Sequence, residues 1–239
     1  MIREAIILAG GLGTRLRAAV PDLPKCMAPV AGHPFIYYLI SYLRNQGISR
    51  FIFSLGFKHA VVETYLAQFF VADTQLNYVT SIEKEPLGTG GAILKASLLA
   101  HSREVLVVNG DTFFAAEIQL LYQIYKEKKA DCILTLKPMQ QTDRYGVVTM
   151  EESGRIRSFL EKQFYKEGLI NGGVYLLNTA SLREKKLGDT FSFENNYLLP
   201  FCKEELFYGV VQDHYFIDIG IPADYQKANE DFKDLHLIK

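Results

Sequence analysis

A chain of 239 residues with 26 lysines and arginines against 27 acidic residues has a formal net charge of −1, which leaves no broad cationic surface for nucleic acid or an anionic membrane. Hydrophobic residues at 49% and charged residues at 22% are the balance of a folded chain with one sizeable core, and they exclude disorder. The longest uncharged stretch, 26–43, is interrupted by Pro29, Gly32, His33 and Pro34, so it is no membrane span, and the apolar start at 5–9 meets glycines too early for a secretory signal. The expected location is the cytoplasm. Cys26, Cys132 and Cys202 are odd in number and far apart, which fits reduced packing residues better than a disulfide framework or a zinc site.

Short apolar runs alternate with helical patterns in the rhythm of βαβ units. Residues 5–9 predict a first strand ending in a glycine loop. Pro34 opens a helix with Phe35, Tyr38, Leu39, Tyr42 and Leu43 on one face, and Gly47 closes it. A strand over 50–55, a helix carrying Val61, Val62, Tyr65, Leu66 and Phe69, and a strand over 76–80 follow, with a third helix after Gly90-Gly91. Val105-Leu106-Val107-Val108 has the continuous aliphatic texture of a strand buried on both faces of a parallel sheet, and it ends in Asn109-Gly110-Asp111. After a helix over 117–128 the chain turns to strand at 132–137, 146–150, 156–161 and 172–178, with Ser153-Gly154 as a hairpin turn. Strands over 206–211 and 215–219 and a helix from 223 towards Leu235 complete the pattern. The expected fold is α/β, with a Rossmann-like mixed but mostly parallel sheet flanked by helices in a single domain over 1–239.

Several positions carry chemistry. Gly10-Gly11-Leu12-Gly13-Thr14-Arg15-Leu16 directly follows the first strand, where glycines let backbone N–H groups converge on a phosphate, although they also suit a plain βα turn. Arg15 stands where a dinucleotide-binding fingerprint requires its third glycine, which favours a triphosphate over NAD. Asp111 ends a buried strand, where open α/β sheets bind ligands, and a helix cap is its plain alternative. Asp218 interrupts the aromatic run Tyr215-Phe216-Ile217, and a carboxylate there needs a partner or a metal. Glu83 can only accept hydrogen bonds; guanine offers two adjacent donors, whereas uracil and thymine flank their single N–H with acceptors. Glu83 therefore suits guanine, with a solvated loop carboxylate as the alternative. An ion pair between Glu161 and Lys162 is disfavoured if both lie on one strand, because neighbours point to opposite faces.

The glycine motif followed by Pro24-Lys25, then Glu85-Pro86-Leu87-Gly88-Thr89-Gly90-Gly91, Gly110-Asp111, Tyr145-Gly146-Val147, Glu161-Lys162 and Asn171-Gly172-Gly173-Val174-Tyr175, resembles the sugar-phosphate nucleotidyltransferases over nearly the whole chain. Within that family, the stretches at 85–92, 143–146, 170–177 and 215–222 look closest to D-glycero-α-D-manno-heptose 1-phosphate guanylyltransferases, and mannose-1-phosphate guanylyltransferases share much of them. Cys26 is a departure, because relatives usually place a proline after the lysine, a rigid turn residue that would help to fix Lys25.

The resemblance implies attack of a sugar 1-phosphate oxygen on the α-phosphorus of GTP, with release of pyrophosphate. Two anions meet in this reaction, so positioned cations, backbone N–H groups and Mg²⁺ lower the barrier. It implies that Arg15 holds the triphosphate, Lys25 bridges the α-phosphate and the sugar phosphate, and Lys162 anchors the sugar phosphate. Asp111 and Asp218 become the Mg²⁺ ligands, completed by phosphate oxygens and water. Nucleotide contacts are implied for Leu8, Ala9, Gly10, Gly11, Gly13 and Thr14, for Glu83, Pro86, Gly88 and Thr89, and for Asn109 and Gly110. Gly146, Glu161, Asn171 and Gly172 join Lys162 at the sugar phosphate. The nucleotide half is expected to reach about residue 130, with no room for a C-terminal β-helix domain. The implied partners are GTP and a heptose- or mannose-type sugar 1-phosphate, with neither nucleic acid nor membrane; the oligomeric state stays open, a homo-oligomer included. Other sugar-1-phosphate nucleotidyltransferases are the near alternatives. A catalytically silent nucleotide-sensing subunit is the distant one, and joint retention of Arg15, Lys25, Asp111, Lys162 and Asp218 argues against it.

Overall fold

The computed structural model describes residues 1–11, 13–16, 19–71, 73 and 75–234. Leu12 of the glycine motif, the side chain of Thr14 and Leu235, towards which the last helix was expected to run, lie outside the described residues. The first half runs through β1 (Glu4–Ala9), the β2–β3 hairpin (Pro29–Val30, His33–Pro34), α1 (Phe35–Asn45), β4 (Arg50–Leu55), α2 (His59–Val71) and β5 (Asn77–Ile82). Next come α3 (Gly88–Ser97), β6 (Glu104–Asn109), β7 (Thr112–Phe114) and α4 (Ile118–Lys128). Both predicted ends of α1 are used: extended Pro34 precedes the first helical residue, and Gly47 takes a φ of 92° just past the last turn.

The second half contains β8 (Cys132–Thr142), β9 (Val147–Met150), β10 (Ile156–Leu160), β11 (Tyr165–Asn178) and α5 (Thr179–Glu184). A π-helical turn (Phe193–Leu198) runs into α6 (Leu199–Phe201), followed by β12 (Phe207–Val211), β13 (Phe216–Asp218) and α7 (Pro222–Asp231). β8 and β11 exceed their expected lengths because they pair with each other from Tyr165 opposite Thr142 to Leu177 opposite Cys132. Their outer portions are half-exposed and polar, so no apolar run announces them. β10 ends at Leu160, which leaves Glu161 and Lys162 exposed in the following loop, so the opposite-faces argument does not apply to them.

Among the described residues one sheet holds nine strands, in the order β10-β9-β11-β6-β1-β4-β5, with β8 on β11 and β12 on β8. β6, β1, β4 and β5 are mutually parallel, and β11 joins β6 antiparallel. Successive residues of β1 feed different cores: Ile7 packs with α1, α2 and α4, whereas Ile6 packs with α3 and α5. Helices on both faces account for the continuous burial of the central strands. Buried Glu4 has the partners a buried carboxylate requires: Arg50 Nη1 at 2.6 Å and the backbone N–H groups of His101 and Ser102. All three cysteines are free and buried. Among the described residues no helix is long and apolar enough to cross a membrane.

Candidate active site

The parallel strands β1, β4 and β6 end on one side of the sheet, and a cleft of about 740 Å³ opens beyond their carboxyl ends. The glycine loop contributes Leu8, Ala9, Gly10, Gly11, Gly13 and Arg15 to its wall. Glu83, Pro86, Gly88 and Thr89 line a second side, and Asn109, Gly110, Asp111 and Lys25 a third. The cleft also takes in Gly56, Phe57, Lys84, Glu85 and Gly220, to which the sequence reading assigned no role. Gly56 had a legible signal, a glycine immediately past a predicted strand. A Cβ there would lie 2.8 Å from the Gly10 carbonyl oxygen, so only glycine lets the two loops meet.

Glu83 is not a solvated loop carboxylate. Its Oε1 accepts from Ser54 Oγ at 3.0 Å and its Oε2 from the Leu87 N–H at 3.2 Å, which fixes the group beneath the glycine loop. Each oxygen retains accepting capacity for a further donor from the cleft. The glycines of the 85–91 motif serve packing: the Gly90 and Gly91 N–H groups donate to the Phe191 carbonyl at 2.9 and 3.3 Å. α3 therefore starts at Gly88, before the expected position, and its amino end is capped by the chain itself. The Thr89 hydroxyl accepts from the Phe193 N–H at 2.9 Å.

Asp218 reaches Asp111 through a two-stranded ribbon in which β13 pairs antiparallel with β7 and Asp218 stands opposite Thr112. Lys25 Nζ lies between the carboxylates, 2.6 Å from Asp111 Oδ2 and 3.3 Å from Asp218 Oδ1. The Lys25 and Asp218 side chains are only 10% and 15% exposed, against 40% for Asp111. Two hard oxygen donors converging on one cationic point fit Mg²⁺. Among the described residues no group of three or more His, Cys, Asp or Glu could hold a metal, so water and phosphate oxygens must complete such a site.

The Cys26 departure does not loosen Lys25. A 3-10 turn over Lys25–Met27 is closed by Met27 N–H to Pro24 C=O at 2.8 Å and Ala28 N–H to Lys25 C=O at 3.1 Å, with no proline needed. Burial, and secondarily the charge of Asp111, push the Cys26 thiol up to about 12, so it is no nucleophile. Burial, followed by the charge of Asp218, raises the Tyr145 phenol far above its ordinary value. Arg144 stacks over the Tyr145 ring and pairs with Asp224 of α7, tying the 143–146 segment to the element after Asp218. Arg15 is exposed and makes no hydrogen bond or ion pair with the described residues.

The residues expected at the sugar phosphate lie outside this cleft lining. Asn171 donates to the Tyr175 hydroxyl at 2.8 Å and accepts from the Gly173 N–H, inside a register shift of β11. That shift presses Gly172 against Phe114 and Gly173 against Asn109, beside the cleft. Gly146 approaches the Leu160 carbonyl, next to the loop that carries Glu161 and Lys162.

A glycine loop, an arginine without a partner among the described residues and two carboxylates around one cation, all at the carboxyl ends of parallel strands, define a protein that handles nucleoside phosphates. The chain matches the nucleotidyl transferase family over residues 4–234 and belongs to it. It is 46% identical to a D-glycero-α-D-manno-heptose 1-phosphate guanylyltransferase of Aneurinibacillus thermoaerophilus, over 96% of this chain and 98% of that one. A protein of the same description from Campylobacter jejuni is 44% identical over 93% and 96%. The crystal structure of HddC from Yersinia pseudotuberculosis complexed with GMP-PN superposes with a TM-score of 0.82 at 36% identity, covering 97% of this chain and all of that one.

Proposed function

We propose that this protein transfers a guanylyl group from GTP to D-glycero-α-D-manno-heptose 1-phosphate in the cytoplasm, giving GDP-heptose and pyrophosphate. The observation that carries the nucleotide assignment is Glu83, an acceptor-only group held in the cleft by Ser54 and Leu87 and matched to the paired donors of guanine. The sugar assignment takes its support from the relatives of that activity.

An oxygen of the sugar phosphate forms a bond to the α-phosphorus of GTP while the bond to the pyrophosphate oxygen breaks, and the electron pair leaves with pyrophosphate. The attacking oxygen is already ionised, so no protein nucleophile or base is needed. Backbone N–H groups of the glycine loop and the exposed guanidinium of Arg15 hold the β- and γ-phosphates, and Arg15 meets the charge that grows on the leaving group. Lys25 screens the α-phosphate from the incoming anion. Asp111 and Asp218 would hold Mg²⁺, which would supply positive charge to neutralise phosphate oxygens. Lys162, from the exposed loop after β10, anchors the sugar phosphate, while Glu161, Asn171, Gly146 and Gly172 receive the sugar.

The test is Mg²⁺-dependent pyrophosphate release across four nucleoside triphosphates and heptose, mannose and glucose 1-phosphates. Release is expected with GTP and the heptose phosphate. Release with GTP and mannose phosphate alone overturns the sugar assignment, and none in any combination overturns the enzymatic reading.

A further inference from the structure

We infer that Lys25 and the divalent cation are alternative occupants of the Asp111–Asp218 pair, and that nucleotide phosphates decide between them by drawing Lys25 away. The inference deepens the proposed function and rests on its metal site. Lys25 Nζ touches both carboxylates, at 2.6 and 3.3 Å, and its side chain is nine-tenths buried. An ion bound to the same two oxygens at roughly 2.0–2.1 Å needs the space that the ammonium fills. Two cations cannot share that point, because the repulsion between a single and a double charge at contact distance is large where water is scarce.

The displaced lysine has room on the cleft side, whose wall it shares with Gly13 and Arg15. On one side lies Gly220, whose N–H donates to Asp218 Oδ1 at 2.8 Å and where an added Cβ would come within 3.2 Å of Lys25 Nζ. On the other side the stem of Lys25 packs on the glycine loop, its Cβ only 3.1 Å from where a Gly13 side chain would begin. The ammonium therefore swings into the cleft along that loop, where phosphate oxygens offer it a new partner. Until phosphate arrives, Lys25 keeps two facing carboxylates from repelling each other and holds them in the geometry the metal will use. Coupling of this kind is reciprocal: a ligand that takes Lys25 strengthens metal binding, and metal binding frees Lys25 for that ligand.

The test uses Mn²⁺ as the probe, with the free hydrated ion counted by electron paramagnetic resonance in nucleotide-free protein. Lys25→Met is expected to bind Mn²⁺ about tenfold or more tightly than the unsubstituted protein, because the competing charge is gone. Arg15→Met removes the same charge from the cleft without touching the carboxylates and is expected to change the affinity far less. Equal gains in both variants, or no gain in Lys25→Met, overturn the inference. Asp111→Asn separates the two levels: weakened Mn²⁺ binding in this variant keeps the metal site even where the Lys25 result fails, whereas unchanged binding removes site and inference together. Should Lys25→Met not fold, NMR of the ¹⁵N-labelled lysine ammonium groups in the unsubstituted protein decides. Saturating Mg²⁺ must shift the Lys25 signal, and an unmoved signal overturns the inference.

Discussion

Hydrogen-bond polarity at Glu83 sets the choice of nucleotide in this reading. Glu83→Gln replaces one acceptor with a donor. Leu87 N–H and Ser54 hold the side chain, so the new carboxamide oxygen turns towards Leu87 and its NH₂ towards Ser54 and the cleft. A hydrogen bond to a charged group contributes about 1.5–3 kcal/mol, so kcat/KM for GTP is expected to fall about 10- to 100-fold relative to UTP or dTTP. Competition assays with mixed nucleotides read that ratio directly, and an unchanged preference rejects the role of Glu83. Its residue type was informative because the hydrogen-bonding capacity of a carboxylate follows from its chemistry alone. The fixing of that carboxylate by Ser54 was not legible, since it depends on β4 and β5 lying side by side with Ser54 opposite Ser81.

At the scale of elements, α3 shows glycines acting against their intrinsic preference. Replacing a helical glycine by alanine usually stabilises a helix by about 0.5–1 kcal/mol. At Gly91 a Cβ would meet the Asp189 carbonyl oxygen at 2.1 Å, and at Gly90 it would meet the Phe191 ring at 2.1 Å. The obstacle at Gly91 is backbone, which cannot rotate aside. Gly91→Ala is therefore expected to destabilise the protein by about 1–3 kcal/mol, the typical effect of overpacking, and to loosen the cap that Phe191 places on α3. Urea denaturation checks the sign, and a stabilised variant would contradict the packing role. The central strands and α1 were legible because their apolar patterns and end signals are local. By contrast, whereas β13 was announced by the apolar run at 215–219, the three-residue strand β7, the π-helical turn after Ser192 and the outer half of β11 carry no periodicity of their own. They exist through partners distant in sequence, as with Phe216 opposite Phe114.

For the molecule as a whole, the candidate site is a product of topology. Asp111 leaves the parallel half of the sheet, Asp218 returns from the end of the chain, and Lys25 joins them from the loop after β1, so their meeting could be expected only from family resemblance and never from spacing. The same distant packing buries phenols, and that burial makes stability depend on alkaline pH. Tyr42 of α1 is 6% exposed and donates to the Ala116 carbonyl at 3.1 Å; burial, then the charge of Glu117, push its phenol from 10.0 up to about 12. Tyr65 of α2 is pushed up to about 12 as well, by burial first and then by Tyr37 and Tyr38. In the unfolded chain both ionise near 10, so between pH 10 and 12 the unfolded form holds fewer protons than the folded one and stability must fall as pH rises. Below pH 10 their contribution is complete. Tyr42 alone is expected to remove about 1 kcal/mol between pH 10 and 11. Urea midpoints at pH 9, 10 and 11 measure the slope, and Tyr42→Phe, which cannot ionise, should flatten it while lowering stability at pH 9 by the lost hydrogen bond. Stability that stays level up to pH 11 would mean that these phenols ionise in the folded protein as readily as in water, contrary to the burial that raises them.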